Sequence, residues 1–77
     1  MNSFPVINNI QTGMRIEQLK KQNGYTVKQL QEIFSFTSPQ SIYKWQWGEC
    51  LPDIENLLML AKLFHCSIED ILVYEEK

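Results

Sequence analysis

Gln40, Ser41, Tyr43, Lys44 and Trp47 bring a carboxamide, a hydroxyl, a phenol, an ammonium and an indole into one short stretch of the chain. A side-chain amide can bond adenine through two atoms at once, and an ammonium one turn further on can donate to guanine, so Gln40 and Lys44 are suited to reading base-pair edges. Ser41 beside them reaches no more than the nearest edge. For this chemistry the groups must project together, and a helix does that. At about 100° per residue Gln40, Tyr43, Lys44 and Trp47 share one face, while Ile42 and Trp45 fall on the other. The stretch from 38 to 47 is punctuated as a helix at both ends. Ser38 can accept from the first free amides, Pro39 suits the first helical position because its missing N–H would be unpaired anyway, and Gly48 can take the left-handed stop. A polar, stackable face with an apolar wedge behind it suits insertion into the major groove of DNA.

Periodicity admits a second registration, in which Tyr43 and Trp47 form the buried stripe and Ile42 and Trp45 face water. That arrangement buries Gln40 and Lys44 on the same side, which costs several kcal/mol unless both find partners.

The other groups capable of chemistry form weaker patterns. Cys50, Cys66 and His65 are three possible metal ligands where zinc usually takes four, and no C-x-x-C pair is present. Neither metal nor cofactor is expected, and the thiols read as reduced and inert. His65 has no acid-and-nucleophile constellation around it in sequence, and there is no glycine-rich phosphate loop, so an enzyme is not expected and no small-molecule ligand is evident. Glu69 and Asp70 fit the positive start of a helix better than acid–base work.

The elements that would position the reading face are short helices. The 77 residues suffice for one domain at most. Met-Asn-Ser-Phe-Pro-Val-Ile-Asn-Asn, residues 1–9, is too punctuated for a helix and reads as an arm, with Phe4, Val6 and Ile7 tucked onto the core. Ile10, Met14, Ile16 and Leu19 have helical spacing and are interleaved with Arg15, Glu17, Lys20 and Lys21. That helix ends near Asn23, where Gly24 supplies a positive φ. Thr26-Val27-Lys28-Gln29 is a capping box opening a helix to Phe34, and Ser35-Phe36-Thr37 turns into the stretch described first. Two short helices joined by a tight polar turn make a helix-turn-helix arrangement. Leu51-Pro52 closes a linker, Asp53 caps a helix with Ile54, Leu57, Leu58, Ala61 and Phe64 on its apolar face, and Ser67-Ile68-Glu69-Asp70 opens a last one. The organisation expected is an arm (1–9), an all-α domain of five helices (10–73) and a frayed end (74–77). The longest apolar run, Leu57 to Ala61, is far too short to cross a bilayer, and no secretion signal is visible at the start, so the chain is expected in the cytoplasm.

A net charge of −2 hides an asymmetry. Residues 1–48 hold five cations (Arg15, Lys20, Lys21, Lys28, Lys44) against Glu17 and Glu32, net +3, whereas residues 49–77 hold two cations against seven carboxylates, net −5. Attraction to phosphate follows the field within roughly a Debye length, about 8 Å at physiological salt, so the first half is the expected DNA side.

Taken in order, Arg15-Ile16-Glu17-Gln18-Leu19-Lys20-Lys21, Gly24, Leu30, Ile42-Tyr43-Lys44-Trp45, Gly48, Leu51-Pro52, Leu57-Leu58-x-Leu60-Ala61 and Ser67-Ile68-Glu69-Asp70-Ile71-Leu72 resemble the Xre type of helix-turn-helix protein, which includes the lambda repressor and Cro DNA-binding domains. The likeness spans about residues 10–73. It implies a five-helix lambda repressor-like bundle with the third helix in the major groove, and it places residues like Ile42 and Trp45 in the core. It further implies a regulator of a bacterium, phage or mobile element, nucleoid-associated, that binds double-stranded DNA sequence-specifically and represses transcription; a domain this small makes few contacts, so a homodimer on the operator is expected. Base readers would be Gln40, Ser41 and Lys44. Thr26, Lys28, Ser38, Tyr43 and Trp47 would contact phosphate or backbone. Three departures stand out. Val27 replaces the glutamine that often opens the second helix, the turn 35–38 is one residue longer than usual, and His65 replaces a glycine between the last two helices. The competing reading is a protein-interaction adaptor, anti-repressor or antitoxin-like, that docks through Tyr43 and Trp47.

Overall fold

In the computed structural model, which describes residues 3–77, the chain runs β1 (Pro5–Ile7), α1 (Asn9–Gln22), α2 (Val27–Ile33), α3 (Gln40–Trp47), α4 (Ile54–Phe64), α5 (Ile68–Ile71) and β2 (Tyr74–Glu76). The described residues thus form the expected five-helix bundle, with a small two-stranded sheet added. Local hydrogen bonds start most of these helices. Asn8 accepts from the Gln11 amide at 2.9 Å and Asp53 from the Asn56 amide at 2.8 Å. Thr26 and Gln29 exchange side-chain and backbone bonds of 3.1 and 2.9 Å, and Ser67 and Asp70 exchange two of 3.1 Å, so both capping boxes are formed.

The first four helices all stop in the same way. Gly24, Ser35, Gly48 and His65 each hold a left-handed φ between 55° and 77°. Behind each, the next amide bonds a carbonyl five residues back: Tyr25 to Lys20, Phe36 to Gln31, Glu49 to Lys44, Cys66 to Ala61, all at 3.0 Å. This is the Schellman arrangement, which satisfies carbonyls the helix leaves open and reverses the chain. His65 at φ 55°, ψ 45° therefore does a glycine's work.

The core is Ile16, Leu30, Ile42, Trp45, Leu57, Leu60, Ala61, Phe64 and Ile71. Three sequence-based expectations need correction. On α1, Ile10 and Met14 are exposed, and the buried side is Thr12, Gly13, Ile16 and Lys20. The reason is Gly13: a Cβ there would lie 2.3 Å from the Trp45 carbonyl oxygen and 2.6 Å from that of Gln46. The missing side chain lets α1 lie directly against α3 and turns the Ile10–Met14 edge outward. On α4, Ile54 and Leu58 are exposed whereas Leu60 is fully buried.

The third correction concerns the two ends. Residues 74–77 do not fray, and Phe4 and Val6 are exposed instead of tucked in. Strand β2 pairs antiparallel with β1, Val6 opposite Glu75, and Phe4 and Lys77 exchange bonds of 2.7 and 2.8 Å. What anchors this ribbon is Thr12, whose fully buried hydroxyl accepts from the Val73 amide at 2.9 Å and donates to its carbonyl at 3.3 Å. The Asn8 amide donates to the same carbonyl at 2.8 Å. Residues 1 and 2 of the expected arm lie outside the described residues.

Candidate nucleic-acid interface

The register of α3 is resolved by burial. Ile42 is 0% and Trp45 4% exposed, whereas Gln40, Ser41, Tyr43, Lys44 and Trp47 all lie on the surface. Trp45 is held from above by the turn that precedes its helix. Phe34 and Phe36 stack on each other with ring centroids 5.4 Å apart, and each meets the indole edge-on at 5.6 and 5.8 Å. The Gln31 side-chain amide also donates to the Phe36 carbonyl at 3.3 Å. The longer turn is therefore pinned to the core through Phe36. Edge-on aromatic pairs of this kind contribute about 0.5–1.5 kcal/mol beyond burial.

At its other end α3 is fixed by Gly48, whose positive φ of 77° coincides with close approach: a Cβ would lie 2.7 Å from the Ile10 Cα. Gly13 and Gly48 thus seat α3 on α1 from two sides. Neither aromatic pinning nor the Gly13 contact was read from the sequence. The available signal was a glycine inside a helical pattern, which costs about 1 kcal/mol against alanine and implies a packing reason.

The N-terminal end of α3 differs from expectation. Pro39, with ψ near 2°, occupies the capping position in place of Ser38, and no side chain caps the helix. The Ser38 hydroxyl lies 3.5 Å from the Gln40 amide, at the outer limit of a hydrogen bond. The first helical bond runs from the Tyr43 amide to the Pro39 carbonyl at 3.2 Å. The amides of the exposed Gln40 and Ser41 lie at the positive end of the helix dipole, an arrangement suited to an anion, whereas Ile42 is fully buried. At α2 the Thr26 hydroxyl already accepts from Gln29, which leaves its proton as the group it can still donate.

Tyr43 and Trp47, one turn apart, stack on each other at 5.6 Å with planes 20° apart, and Trp47 remains 63% exposed. Together with Gln40 and Lys44 they form a continuous outward row.

The charge pattern is thinner than the sequence implies. Arg15 turns away and donates from Nε to the Asp70 carbonyl at 2.9 Å. Lys21 lies 3.8 Å from Glu17, and Lys20 is only 7% exposed. Lys28 and Lys44 are the two lysines of the first half that are exposed and form no ion pair among the described residues, and Arg15, exposed as well, is bonded to a backbone carbonyl and not to a carboxylate.

Elsewhere the chemistry is structural. Burial pushes the Cys66 thiol above its ordinary pKa, the charge of Asp70 adds to that, and Arg15 partly opposes it. A thiol held protonated is a poor nucleophile. Among the described residues no three His, Cys, Asp or Glu side chains gather as metal ligands, and no helix is long and apolar enough to cross a membrane. A hollow of about 450 Å³ beside α1 is bordered by Met14, Arg15, Glu17 and Lys21 among others, with no histidine, serine or thiol in its lining.

A buried Trp45 behind an outward row on a short helix, with a second helix packed across it, defines a helix-turn-helix nucleic-acid-binding domain. Residues 15–77 match the family described as the Cro/C1-type HTH DNA-binding domain. The chain belongs to that family. It is 32% identical over 62 residues to the HTH-type transcriptional activator BcrR of Enterococcus faecalis, a match covering 80% of this chain and 30% of that protein's length. The crystal structure of the DNA-binding domain of BldD superposes with a TM-score of 0.69 at 15% identity, over 84% of this chain and 93% of that one. At that identity the likeness concerns fold.

Proposed function

We propose that the chain is a sequence-specific transcriptional regulator that inserts α3 into the major groove of double-stranded DNA. The observation that carries the reading is the outward row Gln40–Tyr43–Lys44–Trp47, set on a helix whose register is locked by Ile42 and Trp45 in the core. Gln40 and Lys44 read base edges and Ser41 supplements them. The uncapped amides at the start of α3, with Ser38 beside them, hold one phosphate. Thr26 and Lys28 hold the preceding one. Tyr43 and Trp47 act as a single stacked unit against sugar and thymine methyl groups or backbone oxygens. Two exposed, unpaired lysines on the DNA side of each copy, Lys28 and Lys44, make a weak monomer, so two copies on a symmetric operator are required, with centres roughly 34–36 Å apart.

Repression is the reading carried by resemblance to the lambda repressor type, and the activator BcrR shows that a related domain also serves in activation. The chain would act in the bacterial cytoplasm, at the nucleoid.

Affinity measured against salt tests the proposal. With two lysines per copy and two copies, the slope of log K against log salt is about −3.6. Gln40→Ala or Lys44→Ala loses about 1–3 kcal/mol on the preferred site and relaxes preference at one base pair per half-site. The stacked Tyr43 and Trp47 favour one competing reading, the protein-interaction adaptor, because exposed aromatics are enriched at protein interfaces. That reading predicts no salt-steep DNA binding and unchanged behaviour of both alanine variants.

A further inference from the structure

Helix α4 leaves part of its surface uncovered. Ile54 and Leu58, one turn apart, are 73% and 56% exposed, and Met59 is exposed beside them, although Leu57, Leu60, Ala61 and Phe64 on the opposite side fill the core. Glu55 and Lys62 are also exposed, two turns apart on one line, with Leu58 and Met59 between them. From Glu55 to Lys62 the strip therefore runs acid, apolar, base, with Ile54 at its N-terminal edge.

We propose that this strip is where two copies of the chain meet, their α4 helices lying antiparallel about a twofold axis at Leu58 and Met59. Under that symmetry Glu55 of each copy faces Lys62 of the other, Leu58 faces Met59, and the apolar side chains exposed in the monomer cover one another. The surface is complementary to itself, as a twofold interface requires. A parallel arrangement sets Glu55 against Glu55 and Lys62 against Lys62, so the charge order selects the antiparallel one. Opposed helix dipoles act in the same direction. None of the outward row of α3 belongs to the strip, so the contact does not use the residues of either reading face. The patch is small beside the roughly 800 Å² per partner of a standard interface, which makes the dimer weak in free solution and dependent on DNA for full occupancy. The inference rests on the operator-dimer reading for its biological meaning, but self-association of the free chain tests it separately.

Sedimentation equilibrium of the full chain without DNA, in a concentration series reaching the millimolar range, is the experiment. The expected result is a reversible dimer, weakened about tenfold by Glu55→Lys or by Lys62→Glu alone. The two changes together restore it to within about twofold. Leu58→Ser, at an exposed position that leaves the fold intact, gives the same loss without altering charge, and circular dichroism verifies that each variant is folded. A monomer at every concentration, a dimer indifferent to the single charge changes, or a double variant no better than the single ones overturns the proposal. Failure of operator binding alongside the charge-swap pattern would sink the DNA reading and leave this interface standing.

Discussion

Two residues show how local chemistry is set by partners next to them in sequence. The Asp70 carboxyl is held below the usual carboxylate range, first by the Ser67 amide and next by the Ser67 hydroxyl, with Arg15 adding slightly and burial opposing. Because the lowered value belongs to the folded state, the ionised carboxylate stabilises the fold above its unfolded pKa, and that contribution is lost as pH falls through the folded value. Ser67→Ala should therefore raise the Asp70 midpoint toward the ordinary value, as followed by carboxyl carbon NMR. Because the Ser67 amide remains in the variant, an unmoved midpoint would show that the hydroxyl is not among the causes. Ser35 is the second case. Its φ of 57° is one that a residue with a Cβ adopts at a cost. Ser35→Gly should stabilise the chain by about 0.5–1 kcal/mol in a denaturant titration. Both capping boxes and the stops at Gly24 and Gly48 were legible because each depends on side chains within four residues of one another. Ser35 was not, since serine carries no mark of the left-handed conformation and only the packing of Phe36 on Trp45 demands it.

At the scale of elements, existence and order were readable and facing was less so. The facing of α3 was legible because the competing register would have buried Gln40 and Lys44, whereas α1 and α4 carry more apolar residues than their neighbours can cover. Periodicity ranks Ile10 and Met14 with Ile16, and Ile54 and Leu58 with Leu57, and nothing local says which edge is capped by another element. For α1 the deciding residue is Gly13, through its contact with the α3 backbone. Gly13→Ala should force the helices apart and cost about 1–3 kcal/mol, read as a fall in denaturation midpoint. A neutral result would mean that α1 and α3 are not in backbone contact. The ribbon was missed for a related reason. Its strands are three residues each and lie at opposite ends of the chain, joined through the Thr12–Val73 bonds that no sequence window contains.

For the whole molecule, the segregation of charge by halves overstated the positive face. Arg15 is bonded to the Asp70 backbone carbonyl, Lys20 lies at the core boundary and Lys21 stands beside Glu17, so that the proposed attraction to DNA would draw chiefly on Lys28, Lys44 and the exposed amides at the start of α3. Under the proposed pairing a domain so lightly charged would gain occupancy from two copies, which connects the proposed reading face to the exposed strip on α4. Selection of binding sites from random duplexes by the purified chain, run in parallel with its Gln40→Ala variant, tests the central claim most directly. The account predicts a twofold-repeated motif that loses preference at one base pair in each half-site when Gln40 is shortened. A selection yielding no motif at moderate salt, or the same motif with both proteins, would contradict it.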